Sequence, residues 1–296
     1  MIKNCFNYVG SKDRILEQLY ENIDSSKKIL VDMFCGSGVV GLNMSDKFDF
    51  VVLNDGCWQV IEILKYFKQH TPNEVLVEIE KWIDRFKLSK DNKEGYLEAR
   101  ALYNEKINRG EFDPILLYTL IMHSFNYNIV FNKKEEYNVP SGIGRSYFNS
   151  NIKDKLLRFV EKINNVNNIE FTTTRMTTSN VNDIVENIQD KNAFSETFIY
   201  ADPPYFCSDA SHSRIYGLKW TEDEERALYN YLDKVVECGG SFLLSNLVEN
   251  NGTINTILIE WMQKYNVVEV DQNYKNCCYQ KKREDYTNRE VLVRSF

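Results

Sequence analysis

Short apolar runs rich in β-branched and aromatic residues fall at 29–34, 50–55, 169–172, 197–201 and 241–245, most of them bounded by Gly, Pro, Asn or Asp, and each reads as a buried strand. Between them, apolar positions at helical spacing predict helices over 39–44, 58–67, 151–163, 221–237 and 253–263. Strand and helix in alternation imply a parallel sheet with right-handed crossovers, an α/β fold. At the end of the chain, 266–270 and 290–296 flank a polar loop bearing Lys and Arg, which predicts a terminal antiparallel pair.

The rhythm breaks at Thr71-Pro72-Asn73-Glu74. Thr as N-cap, Pro at the first helical position and Glu at the third make a capping-box start, and helical periodicity runs on through Trp82 and Phe86. Two more helical patterns, 94–107 and 114–126, follow with no strand between them. Residues 128–140, polar and aromatic around Lys133-Lys134-Glu135-Glu136, read as a hairpin, and a Gly-rich turn follows at 141–145. The stretch 61–149 is therefore a mainly helical insertion that divides the α/β unit into 1–60 and 150–296.

With 296 residues, 43% hydrophobic and 13% aromatic, the chain has enough apolar material for a real core. The longest apolar stretch, 115–122, is too short to span a bilayer, and the N-terminus has no apolar signal region, so the cytoplasm is the expected place, with no membrane partner. Seven cysteines without Cys-x-x-Cys spacing and three scattered histidines support neither a disulfide frame nor a metal site. A net charge of −7 argues against indiscriminate binding to polyanions. The insertion, however, holds 13 basic against 13 acidic residues, leaving 23 against 30 elsewhere, so it is the neutral part where a polyanion would touch.

Two stretches carry chemistry. The strand at 198–201 is halted by Pro203 and Pro204, which leaves Asp202 at its carboxyl end, the rim where open α/β sheets bind ligands. The paired prolines remove two donors, so the corner offers only carbonyls and a carboxylate. It suits an exocyclic amine with two N–H bonds to give, and Tyr205 supplies a flat face for its ring; an ordinary strand-to-loop turn is the bland alternative. The second stretch, Gly36-Ser37-Gly38-Val39-Val40-Gly41, is a G-x-G-x-x-G turn between strand and helix, and Asp55 stands at the distance of a ribose-holding acid. A dinucleotide and S-adenosylmethionine both use this device, and glycines needed only for packing would look the same. Asp32, just before the turn, would repel a pyrophosphate but pair with an ammonium or sulfonium. Capping a helix is its other use.

Together, Phe34-Cys35-Gly36-Ser37-Gly38 and Asp202-Pro203-Pro204-Tyr205 resemble the DNA adenine-N6 methyltransferases of the Dam-like D12 class, in the α-group order. Asn7-Tyr8-Val9-Gly10-Ser11-Lys12 looks like that family's N-terminal segment, Leu53-Asn54-Asp55 like its ribose-binding strand end, and Glu136-Tyr137-Asn138-Val139-Pro140 like the end of its DNA-reading hairpin. The resemblance covers nearly the whole chain. It implies a Rossmann-like class I methyltransferase sheet with a target-recognition domain at 61–149, and S-adenosylmethionine as methyl donor without a metal. Tyr8, Lys12, Asp32, Phe34, Gly36, Gly38, Asp55 and Asp202 would line the donor pocket, although Lys12 taken alone reads as a surface lysine. Asp202, Pro203, Pro204 and Tyr205 would act on an adenine flipped out of double-stranded DNA.

By the same resemblance the DNA contacts would come from Asn126, Lys133, Lys134, Pro140 and Arg145, with a solvated hairpin tip as the alternative for the two lysines. Relatives that methylate GATC carry an arginine two residues before the place of Asn132; here that place is Val130, which cannot make a bidentate contact to guanine. A cognate restriction endonuclease is a compatible partner. The competing readings are methylation of cytosine N4 or of an RNA adenine, an NAD-dependent oxidoreductase, and a binding module that keeps the fold without the reaction.

Overall fold

Strands β1 (Ile29–Asp32), β2 (Phe50–Asn54), β3 (Ile169–Thr172), β4 (Thr197–Ala201) and β5 (Ser241–Asn250) form at the expected places in a computed structural model that describes residues 1–6, 10–174, 193–207, 220–270 and 288–296. These five pair in parallel, β1 lying between β2 and β4. Two more strands, β7 (Asn266–Glu269) and β8 (Asn288–Arg294), are antiparallel, as the sequence predicts. The order is β3-β2-β1-β4-β5-β8-β7, with the two-residue β6 (Thr253–Ile254) pairing with the far end of β5. What the pattern does not predict is that β8 inserts beside β5 and leaves β7 at the edge.

The central strands β1, β2 and β4 are apolar without alternation because both of their faces are covered. Leu30, Val51, Leu53, Phe198, Tyr200, Leu243 and Leu292 face one core, whereas Val31, Val52, Ile199, Ala201, Phe242, Leu244, Val291 and Val293 face the other. Helices α8 (Glu222–Glu237) and α9 (Thr256–Trp261) close the second core. Strand β5 runs past Ser245 to Asn250, and the periodicity at 253–263 resolves into β6, α9 and a single tight turn.

On the first face lie α1 (Leu16–Glu21), α2 (Val39–Met44), α3 (Trp58–Gln69) and α7 (Ser150–Asn164). Helices α4 (Pro72–Phe86), α5 (Lys93–Asn108) and α6 (Pro114–His123) extend the same core, with Phe67 of α3 edge-on to Tyr118 of α6 at 5.3 Å and to Phe159 of α7 at 6.4 Å. The capping box is present: Thr71 N–H donates to Glu74 Oε2 at 2.8 Å, and Glu74 N–H to Thr71 Oγ1 at 3.3 Å. Helix α6 stops at His123, short of the predicted end, and Asn126 takes a left-handed conformation at φ 54°. Bridges Ser124↔Ser141 and Phe131↔Tyr137 close the hairpin, and Tyr96 OH and Arg100 both donate to the Val139 carbonyl at 2.8 Å. Among the described residues no helix is long and apolar enough to cross a membrane.

Under the second face one carboxylate is fully buried. Glu225 accepts from Trp220 Nε1 (2.6 Å), Tyr229 OH (2.5 Å), Asn246 Nδ2 (3.1 Å) and Asn255 Nδ2 (2.7 Å), so its charge is met by four donors. Glu225→Ala takes the acceptor from the buried Trp220 Nε1, Tyr229 OH and Asn255 Nδ2, and leaves Asn246 Nδ2 only the Tyr229 hydroxyl at 3.1 Å. We expect it to cost about 3 kcal/mol or more and to lower the thermal midpoint by several degrees, read by calorimetry.

Candidate active site

The glycine turn and the Asp-Pro-Pro corner come together because β1 and β4 are hydrogen-bonded neighbours, a few ångströms apart and ending on the same rim. The strand order reverses here: from β1 the chain moves to β2 on one side and reaches β4 on the other, which opens a crevice beyond the carboxyl ends.

On the β1 side, Gly36 and Gly38 adopt φ 50° and 74°, a left-handed region that a side chain disfavours. The third glycine serves packing: a Cβ on Gly41 would stand 2.5 Å from Leu53 Cδ2 and 3.0 Å from Asp32 Oδ2. Asp32 is fully buried, and its Oδ2 accepts the Gly41 N–H at 2.9 Å in the first turn of α2, so the capping use is real. Its Oδ1 has no partner among the described residues. Burial, together with the charges of Asp202 and Asp55, pushes the Asp32 carboxyl well above its ordinary range, with the Gly41 amide pulling the other way. A cation brought against it would favour its ionised form.

Asp55 follows β2 and is held by two amides, Gly36 N–H to Oδ2 at 2.9 Å and Cys57 N–H to Oδ1 at 2.7 Å. Each oxygen keeps a lone pair for a sugar hydroxyl. Asn54, whose role the sequence does not reveal, ties three strand ends together: its Nδ2 donates to the carbonyls of Met33 (2.9 Å) and Thr174 (3.0 Å), and its Oδ1 accepts from Thr172 Oγ1 at 2.8 Å. Phe34 is half-buried, with its ring edge-on to Trp220 at 5.7 Å. These groups fit S-adenosylmethionine: an acid for the cation, an acid for the ribose, and aromatic rings beside the turn. Tyr8 lies outside the described residues.

On the β4 side, Asp202 leaves the strand with its side chain one-fifth exposed and Pro203 buried behind it. Oδ1 is braced from behind, 2.9 Å from Lys12 Nζ and accepting from Tyr205 OH at 2.9 Å. No hydrogen bond to Oδ2 is found among the described residues. Burial raises the Asp202 carboxyl above its ordinary range, and Lys12 offsets part of that rise. Lys12 is not a surface residue: it sits in the tight turn Lys12–Arg14, is 9% exposed, donates to Tyr205 OH at 2.7 Å and lies over that ring at 5.1 Å. Burial alone would lower the Lys12 ammonium, but Asp202 and Glu290 outweigh it and raise it.

Glu290 on β8 and Ser245 on β5 complete the cluster and were not foreseen. Tyr205 OH is 3.0 Å from Glu290 Oε1, which also accepts from Ser245 Oγ at 2.9 Å and stands 3.5 Å from Lys12 Nζ. A signal existed: Glu290 is in phase with the inward-facing Leu292 on a strand buried on both sides. Of the expected DNA contacts, Asn126, Pro140 and Arg145 are exposed near one another, with the Phe125 N–H donating to the Pro140 carbonyl at 2.9 Å and the Arg145 guanidinium over the Phe125 ring at 5.8 Å. Lys133 and Lys134 are exposed at the opposite end of the hairpin. No cluster of metal-ligating side chains is found among the described residues.

Comparison with known proteins identifies the family. The family model for D12 class N6 adenine-specific DNA methyltransferases matches residues 8–276. The chain is 32% identical over 297 residues to the type II methyltransferase M.FokI of Planomicrobium okeanokoites, with all of this chain and 43% of that protein covered. It is 32% identical over 300 residues to the modification methylase StsI of Streptococcus sanguinis, with the same coverage. The type II methyltransferase M.MjaIII of Methanocaldococcus jannaschii is 26% identical over 262 residues, covering 83% of this chain and 84% of that protein. The chain thus spans less than half the length of the first two relatives.

Proposed function

The chain belongs to the D12 class N6 adenine-specific DNA methyltransferases, and we propose that it methylates N6 of an adenine in a short DNA sequence, using Asp202 as the acceptor that activates the amine. The observation that carries this reading is the braced Asp202: Oδ1 is held by Lys12 and Tyr205, and the partly exposed carboxylate stands at the end of β4, next to the strand that leads into the glycine turn.

The adenine amine is a poor nucleophile because its lone pair is delocalised into the ring. Asp202 accepts one N–H and the Pro203 carbonyl the other, which localises the lone pair on nitrogen as the amine becomes tetrahedral. Pro204 stiffens the turn, and Tyr205 offers its ring for the base to stack on while its hydroxyl stays anchored. When bound, S-adenosylmethionine supplies the electrophilic methyl. Asp32 holds the donor's cationic part, Asp55 its ribose, and Phe34, Gly36 and Gly38 shape the pocket, with Lys12 and Tyr8 at its edge. The match to a methyltransferase family over residues 8–276 counts against the oxidoreductase reading.

A paired base cannot reach this corner, so the target must leave the duplex. Residues 61–149 act as the target-recognition domain, with Asn126, Pro140 and Arg145 on one DNA-facing surface and Lys133 and Lys134 at the hairpin tip. Arg145→Ala should weaken binding to every sequence alike and reduce the salt slope of log Kd by about 1, measured by fluorescence anisotropy. A cognate restriction endonuclease completes the proposed setting, in the cytoplasm. The deciding experiment incubates the protein with unmethylated genomic DNA and S-adenosylmethionine and maps modified bases by single-molecule sequencing. N6-methyladenine in one short motif is the expected result. Modification at cytosine, or none, would sink the reading.

A further inference from the structure

The site holds two carboxylates for one ammonium. Glu290, 3% exposed, and Asp202 approach Lys12 from different strands, at 3.5 and 2.9 Å. Tyr205 OH accepts from Lys12, yet its single proton faces both acids, at 2.9 Å from Asp202 and 3.0 Å from Glu290. Ser245 Oγ gives Glu290 a fixed donor at 2.9 Å. Building on the methylation reading above, we infer that Glu290 is a positioning residue that neutralises Lys12, so that Asp202 keeps its full negative charge toward the reacting amine.

Methyl transfer turns a neutral amine into a cationic one before its proton is lost. An ammonium 2.9 Å from the activating carboxylate opposes that developing charge unless a second anion cancels it. With Glu290 the cluster of Lys12, Asp202 and Glu290 carries net −1; without it the cluster is neutral. When the amine donates to Asp202, a small swing of Lys12 toward Glu290, with the Tyr205 proton turning the same way, frees Asp202 further. Among the described residues, the other titratable groups coupled to Asp202 are Tyr200 and Asp32, and both stand on the strands that position it.

The test compares Glu290→Gln, Lys12→Met and the double variant with the whole protein on unmethylated DNA. Glu290→Gln should lower kcat roughly tenfold or more, while KM for the donor and for DNA stays within about twofold. It should also move the acid limb of the pH profile downward. Glu290 raises the Asp202 carboxyl, so its loss lets Asp202 ionise at lower pH. In the Lys12→Met background the same Glu290 change should cost little, because the charge it cancels is gone. An unchanged kcat for a folded Glu290→Gln, or a lowered kcat with the acid limb in place, overturns the inference. So do strictly additive effects in the cycle, and the Lys12→Met pair decides the matter should Glu290→Gln fail to fold. Failure of the methylation reading itself would show separately, as no N6-methyladenine from the unaltered protein.

Discussion

Replacing Asp202 with alanine should reduce methyl transfer by about 10³-fold, with S-adenosylmethionine binding kept at least in part. In the proposed mechanism the loss falls on kcat, because there the carboxylate acts where charge changes during the reaction and the donor is held chiefly from β1 and β2. The pH profile of the unaltered protein carries the same information. Burial raises the Asp202 carboxyl, with Lys12 offsetting part of the rise, so the acid limb of kcat should lie above the ordinary aspartate value of about 4. Single-turnover assays with labelled donor across pH would show both effects. An alanine variant with normal turnover would remove Asp202 from the mechanism.

Asp32→Asn should separate binding from stability. The asparagine oxygen can still accept the Gly41 N–H, so α2 keeps its anchor, but the uncompensated buried charge is gone. Donor affinity should fall roughly 30-fold, the worth of a charged hydrogen bond of about 2 kcal/mol, as read by titration calorimetry. Stability of the free protein should rise at neutral pH. The sign follows from linkage: the folded Asp32 carboxyl lies above its unfolded value of about 4, so its contribution is full below that pH and is lost as pH climbs through the raised folded value. The asparagine variant loses that slope. Donor binding to the unaltered protein should conversely release a proton at pH values below the raised one, because a bound cation favours the ionised acid.

Much of the fold could be read from local signals. The capping boxes at Thr71 and Thr221 rest on side chains three residues apart and are present as expected. The β-rich runs at 29–34 and 197–201 needed no partner to be recognised as strands, since burial on both faces removes alternation. The glycine turn and the Asp-Pro-Pro corner were legible because backbone conformation there demands particular residue types. Lys12 and Glu290 were harder. A lysine is ordinarily a surface residue, and neither position carries a backbone constraint; each becomes part of the site only through partners 193 and 85 residues from it, both meeting at Tyr205.

The chain alone therefore determined its element types, its two chemical stretches and the order in which they occur, because these follow from side-chain period, proline and glycine geometry and caps acting over a few residues. Only the tertiary structure decided that β4 pairs with β1, that β8 inserts beside β5, and that Lys12, Asp202, Tyr205, Ser245 and Glu290 share one set of hydrogen bonds. Those outcomes depend on strand pairing across long separations, and the charge state of the site depends on burial that no single segment specifies.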